Sequence, residues 1–230
     1  TATSSNSDLL HSPVVEYTNA DSAGKLKLTP KPDQSGTSTI TVMVEDAGLD
    51  NDLSTTSDNA TYIQTFELNV TALNDRPTLD TPADITIAED SGEATVNLAG
   101  ISAGGGEAQP LRVTAVSANT NLISTPSVIY TSAEPTGTLK FSPIADQSGS
   151  TTVTVTVEDG GEDNDLGTAD DNLKIARTFE VTVTPVNDLP TLASLDNVVI
   201  AEDYGVKTID LSGIRAGANE QQELKVTATS

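Results

Sequence analysis

The 230-residue chain has no cysteine and no tryptophan, one methionine and one histidine, and aromatics make up 3% of it. Without cysteine, a sandwich core closed by an immunoglobulin-type disulfide is excluded. The same absence suits an exported protein that needs no oxidative folding. Positive charge is scarce: 11 Lys+Arg face 34 Asp+Glu, a net charge of −23. A nucleic-acid binder needs a basic footprint, which is missing, and an anionic membrane surface would repel the chain. No run is long and apolar enough to span a bilayer, and there is no secretory leader. Thr1-Ala2-Thr3-Ser4 reads as the inside of a strand, so any export signal is expected outside this segment.

What the chain does have is repetition, which is sought before anything else. Asn74-Asp75-Arg76-Pro77 returns as Asn187-Asp188-Leu189-Pro190, Ile87-Ala88-Glu89-Asp90 as Ile200-Ala201-Glu202-Asp203, and Asp33-Gln34-Ser35-Gly36 as Asp146-Gln147-Ser148-Gly149. Each pair is separated by 113 residues, with no insertion or deletion. Residues 1–78 then read as the last two-thirds of one domain, 79–191 as a whole domain and 192–230 as the first third of another. In such arrays each unit touches only its neighbours.

Within 79–191, short runs of period two predict seven strands: 84–88, 94–98, around Leu111, Val113 and Ala115, around Val128 and Tyr130, 137–141, 151–157 and 178–183. They are rich in Val and Thr, separated by turn residues, and show no helical period. In Thr151–Val157 the valines face in and the threonines out. The fold class expected is all-β: tandem seven-stranded Greek-key β-sandwiches with an aliphatic core. Tyr17 and Tyr130 are expected in the core. Lys27 and Lys140 are expected to point outward, and His11, matched by Ser124, is expected in an exposed loop.

Carboxylates crowd the loop after the valine strand. Asp159, Asp163, Asp165 and Asp171 in one repeat match Asp46, Asp50, Asp52 and Asp58 in the other. Acids this close repel one another unless a cation lies among them, and alternating Asp163-x-Asp165 oxygens are of the kind that calcium loops use. The plainer reading is a solvated turn. The same choice applies to Glu89-Asp90 and Glu202-Asp203, ligands or edge-strand charges, and to Asn74-Asp75 and Asn187-Asp188, ligands or ordinary turns. With no cysteine nucleophile, a lone histidine and carboxylates on loops, no enzyme is expected.

The Asn-Asp-x-Pro linkers, the Glu of Ile-Ala-Glu-Asp about a dozen residues later and the Val-x-Val-x-Asp-x-Gly strand end resemble the cadherin-like and Ig-like repeats of large bacterial surface proteins, over the whole chain. The resemblance implies calcium shared between consecutive domains. A first junction would use Asp33, Asn74, Asp75 and Asp159; a second would use Glu89, Asp146, Asn187 and Asp188; Asp46 would face a junction before Thr1. The linker is one residue shorter than the cadherin pattern and Ser148 replaces a glutamate, which implies one ion, or one at the linker plus one inside the acidic loop. The function implied is a calcium-rigidified structural segment of an extracellular bacterial adhesin or surface filament. The alternative is a repeat that binds glycans or copies of itself, including strand exchange between chains in a fibre. Expected partners are neighbouring repeats or copies of the same chain, with any cell-surface or glycan ligand elsewhere in the full protein.

Overall fold

The computed structural model describes residues 1–19, 21–55 and 57–230. It is all-β among these residues, built from several sheets with antiparallel pairing, and consistent with a β-sandwich type of fold. The chain divides into two compact units. Unit 1 comprises Thr1–Thr78, Ser102–Arg112 and Glu158–Ile175; unit 2 comprises Leu79–Ile101, Val113–Val157 and Ala176–Ser230.

In unit 1, β1 (Ala2–Ser4), β4 (Gly36–Glu45) and β5 (Thr61–Val70) form one sheet in the order β1-β4-β5. The hairpin of β2 (Val14–Glu16) and β3 (Lys25–Lys27) forms a second. Their core is small. Leu9, Leu10 and Ile40 are buried, and Leu26, Leu28, Val42, Leu68 and Val70 pack around them only partly covered.

Residues 79–191 carry seven strands: β6 (Ile85–Ala88), β7 (Ala94–Leu98), β8 (Leu111–Ser117), β9 (Ser127–Ile129), β10 (Gly137–Phe141), β11 (Gly149–Asp159) and β12 (Lys174–Thr184). They form a three-stranded sheet, β7-β10-β9, and a four-stranded sheet, β6-β12-β11-β8. The edge strand β6 runs parallel to β12, with Val181 opposite Ile85 and Val183 opposite Ile87. Alternation decides which face is core. Val153, Val155 and Val157 on β11, and Val181 and Val183 on β12, are at most 1% exposed, as is Leu139 on β10. Burying one such side chain is worth about 1.5–3 kcal/mol over leaving it in water.

All seven expected strands are present, and two are longer than alternation suggested. β11 extends to Asp159, and β12 begins at Lys174 rather than Thr178. The extensions hold together by charge as well as by ladder bonds. Glu158, 7% exposed, is met by Arg112 from β8 and by Lys174 Nζ at 3.0 Å from β12. Partial burial pushes the Glu158 carboxyl up, but hydrogen bonds and charge from Arg112 and Lys174 outweigh it and hold it below the ordinary range.

Other expectations divide. Lys27 pairs with Glu16, and Lys140 Nζ lies 2.7 Å from Glu93; His11 is exposed. Tyr130 is half-buried, but Tyr17 is 58% exposed and is not core. Residues 192–230 correspond to β6, β7 and β8, yet they hold no strand; a bridge from Thr191 to Arg215 ties their start. Their twins pair with β12, β10 and β11.

The same residue in the two repeats therefore carries different weight. Val157→Ala, at a site 0% exposed, should cost about 2 kcal/mol through lost burial and a residual cavity. Val44→Ala, at the twin site 64% exposed, should stay within about 0.5 kcal/mol. Urea unfolding of the two variants, followed at low protein concentration, checks the difference.

Candidate metal centre

Two groups of acids form in the structure, one in each unit, and the 113-residue offset relates them. In unit 2, oxygens of Asp90, Asp146 and Asp188 all lie within 4.8 Å of one another. Asp90 follows edge strand β6. Asp146 sits in the turn between β10 and β11 with φ 59°, a left-handed conformation that Asp tolerates better than most residues. Asp188 is in the linker after β12. Glu220 joins them: its Oε1 accepts the Asp188 amide at 3.2 Å and the Gln222 side chain at 3.1 Å. Asn219 Nδ2 donates to the Asp146 carbonyl at 2.7 Å.

This group is short of donors. Asp188 Oδ2 and Glu220 Oε2 are shielded from solvent and have no hydrogen-bond partner. Desolvation raises the Asp188 carboxyl above its ordinary range, and the charges of Asp146, Asp90, Glu220 and Glu89 raise it further. Glu89 is close by and 4% exposed, but its Oε1 is spent on the Val186 amide at 2.8 Å. Of the Glu89-Asp90 pair, it is Asp90 that enters the cluster.

Unit 1 assembles the corresponding group around Asn74. Its Nδ2 donates to Asp159 Oδ1 at 3.1 Å and to the Asp171 carbonyl at 2.7 Å, while its Oδ1 accepts from Gln109 Nε2 at 2.9 Å. The Asp75 amide donates to Glu107 Oε2 at 3.1 Å. Desolvation raises the Glu107 carboxyl, and the charges of Asp75, Asp159 and Asp33 add to it. Asp159 is 0% exposed and its Oδ2 has no partner; Gln109, 7% exposed, leaves Oε1 without one. Asp33 shows the turn geometry of Asp146, with φ 57°. The linker thus meets the end of β11 through the Asn74–Asp159 hydrogen bond.

Sequence reasoning missed Glu107 and Gln109, and their twins Glu220 and Gln222. Glu107 and Gln109 follow the glycine run Gly104-Gly105-Gly106. A Cβ on Gly105, at φ 42°, would stand 2.0 Å from Asp75 Oδ2, so that glycine lets the loop lie against the linker carboxylate. The signal available was the exact recurrence of Glu-x-Gln at 107–109 and 220–222.

The acidic loop itself is different. Asp159 Oδ1 accepts the Gly161 and Leu173 amides at 3.1 and 2.8 Å. Asp163 Oδ1 accepts the Asp165 amide at 2.9 Å and its Oδ2 the Thr168 hydroxyl at 2.6 Å; Asp165 Oδ1 accepts the Gly167 amide at 2.8 Å. Asp171 Oδ2 accepts the Glu162 amide at 2.7 Å. Asp46, Asp50, Asp52 and Asp58 repeat this with the Gly48, Ala60, Asp52, Ser54 and Leu49 amides and the Thr55 hydroxyl. These carboxylates fasten their own loop, in the manner of Asx turns. Hydrogen bonding accordingly lowers Asp163 (Thr168 first) and Asp46 (Ala60 first) below the ordinary range. Asn187 is exposed and its side chain reaches only the Asp188 carbonyl, at 3.2 Å. Glu202 and Asp203 are exposed in the strandless segment.

No family model matches the chain, and no curated protein matches it. Solved structures with similar architecture include surface layer protein SbsC, domains 1–6, at 18% identity and TM-score 0.33 over 84% of this chain and 21% of that one. SbsC domains 4 and 5 match at 18% and 0.32, over 80% of this chain and 76% of that one. Titin domains Z1Z2, in a structure with telethonin, match at 13% and 0.33, over 81% and 82%. The chain thus spans about a fifth of the six-domain SbsC structure. Superpositions this loose transfer no activity, ligand or partner to this chain.

Two outcomes follow from these geometries. Asn74→Ala strands the buried Asp159 carboxylate and the Gln109 amide, at an expected cost of about 1–3 kcal/mol, read as faster hydrogen exchange at the Gly161 and Leu173 amides. For Asp188, the native carboxyl holds its proton more tightly than the unfolded one. The stability this gives is full below the unfolded value and is lost as pH rises through the raised native value. Carboxyl NMR titration without divalent ions should put Asp188 above the ordinary aspartate range and Asp163 below it.

Proposed function

We propose that this chain is a structural segment of an extracellular bacterial adhesin or surface filament, made of seven-stranded Greek-key repeats bounded at 78 and 191 and stiffened by calcium at the linkers. The observation that carries this is the convergence of Asp90, Asp146 and Asp188 within 4.8 Å, beside two shielded carboxylate oxygens that lack any partner. An all-oxygen, acid-rich set fits a hard cation such as Ca²⁺, which takes 6–8 oxygens in flexible geometry. When bound, the ion supplies the positive charge that cancels mutual repulsion of the carboxylates.

The residues that would hold it are Asp90, Asp146 and Asp188, with Glu220 and Glu89 alongside. In unit 1 they are Asp33, Asp75, Glu107 and Asp159, with the Gln109 carbonyl. Each group is half of one repeating pattern: the acids before and within a repeat, its linker, and the loops of the next. Asn187, Glu202 and Asp203 are assigned by the same offset. Asp46, Asp50, Asp52, Asp58, Asp163, Asp165 and Asp171 keep lone pairs for an ion of their own, but their first use is to hold the loop. A partly exposed site suits affinities on the order of 10⁻⁴–10⁻³ M, the range of extracellular modules. The acidic surface and lack of cysteine agree with that setting. Reach and stiffness, rather than catalysis, are the output.

Calorimetric titration with Ca²⁺ tests this. Binding heat should appear with the wild type and fall at least about tenfold in affinity with Asp188→Asn. Solution scattering should show a more compact, more flexible chain in chelator. Absence of heat, or identical scattering with and without chelator, rejects the calcium reading.

A further inference from the structure

Asn74 reaches from the linker to two side chains that are nearly dry, Asp159 at 0% and Gln109 at 7% exposed. All three belong to unit 1. A carboxamide offers two N–H donors and one carbonyl oxygen. Asn74 uses all of them. Its Nδ2 donates to Asp159 Oδ1 at 3.1 Å and to the Asp171 carbonyl at 2.7 Å. Its Oδ1 accepts from Gln109 Nε2 at 2.9 Å. Turning the amide over, so that Oδ1 faced Asp159, would break all three bonds and set oxygen against oxygen.

Asp159 divides its two oxygens sharply. Oδ1 takes three donors: the Gly161 amide at 3.1 Å, the Leu173 amide at 2.8 Å and Asn74. Oδ2 takes none, although it is shielded from solvent. Gln109 is divided in the same way. Its Nε2 is given to Asn74, and its Oε1 is shielded and without a partner. A buried acceptor without a donor is unfavourable, and more so on a carboxylate. Here the two such atoms lie on the two side chains that Asn74 holds. Both are oxygens, the ligand type that a hard divalent cation takes.

We propose that Asn74 is a positioning residue of the unit 1 cation site and not one of its ligands, an assignment that rests on the calcium reading above. It grips Asp159 by Oδ1 and Gln109 by Nε2, and so leaves Asp159 Oδ2 and Gln109 Oε1 to meet the ion. This departs from the role of ligand that the cadherin-like resemblance implied for Asn74. It also gives the linker a part in setting affinity. The two ligand oxygens are aimed only while Asn74 lies against the acidic loop. Ion binding and linker docking are therefore coupled, and each favours the other by the same factor.

NMR of the whole chain, labelled with ¹³C and ¹⁵N and titrated with Ca²⁺ from a chelated start, tests this. The Gly161 and Leu173 amides, which bond to Asp159 Oδ1, report this site apart from the Asp90–Asp146–Asp188 group. On saturation the Gln109 side-chain carbonyl carbon should shift, while the Asn74 carboxamide carbon stays in place. The nuclear Overhauser contact between the Asn74 side-chain N–H and the Leu173 amide should persist, because both donate to the same oxygen. Gln109→Leu, which leaves the donors on Asp159 untouched, and Asn74→Ala should each weaken Ca²⁺ at least about tenfold, the loss typical when a ligand or its support is removed.

A shift of the Asn74 carbon with loss of that contact makes Asn74 a ligand and overturns the proposal, while the calcium reading stands. Unchanged affinity in Gln109→Leu overturns it as well. These two outcomes need no variant at Asn74, so they hold even if Asn74→Ala fails to fold. Gly161 and Leu173 amides that ignore Ca²⁺ in the wild type reject the calcium reading for unit 1, and this assignment with it.

Discussion

Like charges held close together are the constraint around which this molecule is arranged. Asp90, Asp146 and Asp188 come from three separate stretches, yet their oxygens converge within 4.8 Å. Nothing about a lone aspartate makes it seek two others; the sheets force them together. β6 is fixed beside β12 by ladder bonds and by buried Val181 and Val183, and the β10–β11 turn is fixed by the strands on either side of it. The carboxylates are carried at the ends of these elements. Hydrophobic burial thus does work against electrostatic repulsion, and a divalent cation is the economical way to relieve it.

The two kinds of acid on this surface solve different problems. Those inside the acidic loop turn their oxygens toward the loop's own amides. Gly161 illustrates the tightness: at φ 62°, an added Cβ would stand 2.5 Å from the Asp171 carboxyl carbon. Hydrogen-bond donors of the loop satisfy these carboxylates, and for Asp163 and Asp46 they favour the charged form. Those at the linker have too few donors. Asp188 and Glu107 are desolvated and face other acids, so their charged forms are disfavoured. Counting acids does not separate the two populations; the supply of hydrogen-bond donors around them does.

β11 carries both core valines and buried acids. Its valines supply the driest part of the core, and the same strand then runs on into Glu158 and Asp159, at 7% and 0% exposed. Glu158 is neutralised by basic residues on both neighbouring strands. Asp159 is held by two amides of its own loop and by Asn74 from the linker. A linker side chain therefore reads the end of the central strand. The Gly104–Gly106 run is the place where the loop closes on Asp75 and Arg76.

The sequence by itself determined the period, the seven strands and the inward face of each, because these rest on local alternation and on repetition at a fixed offset. It pointed to Asp90, Asp146 and Asp188 as members of a larger set. Only the tertiary structure decided that these three converge, that Glu89 is diverted to the Val186 amide, that Glu107 and Gln109 belong to the linker group, and that Asp163, Asp165 and Asp171 serve their loop. It also decided that Tyr17 is exposed while Tyr130 is half-buried, although the two occupy matching positions. Convergence and burial depend on which distant strand lies alongside, and a residue's own neighbours in sequence carry no record of that.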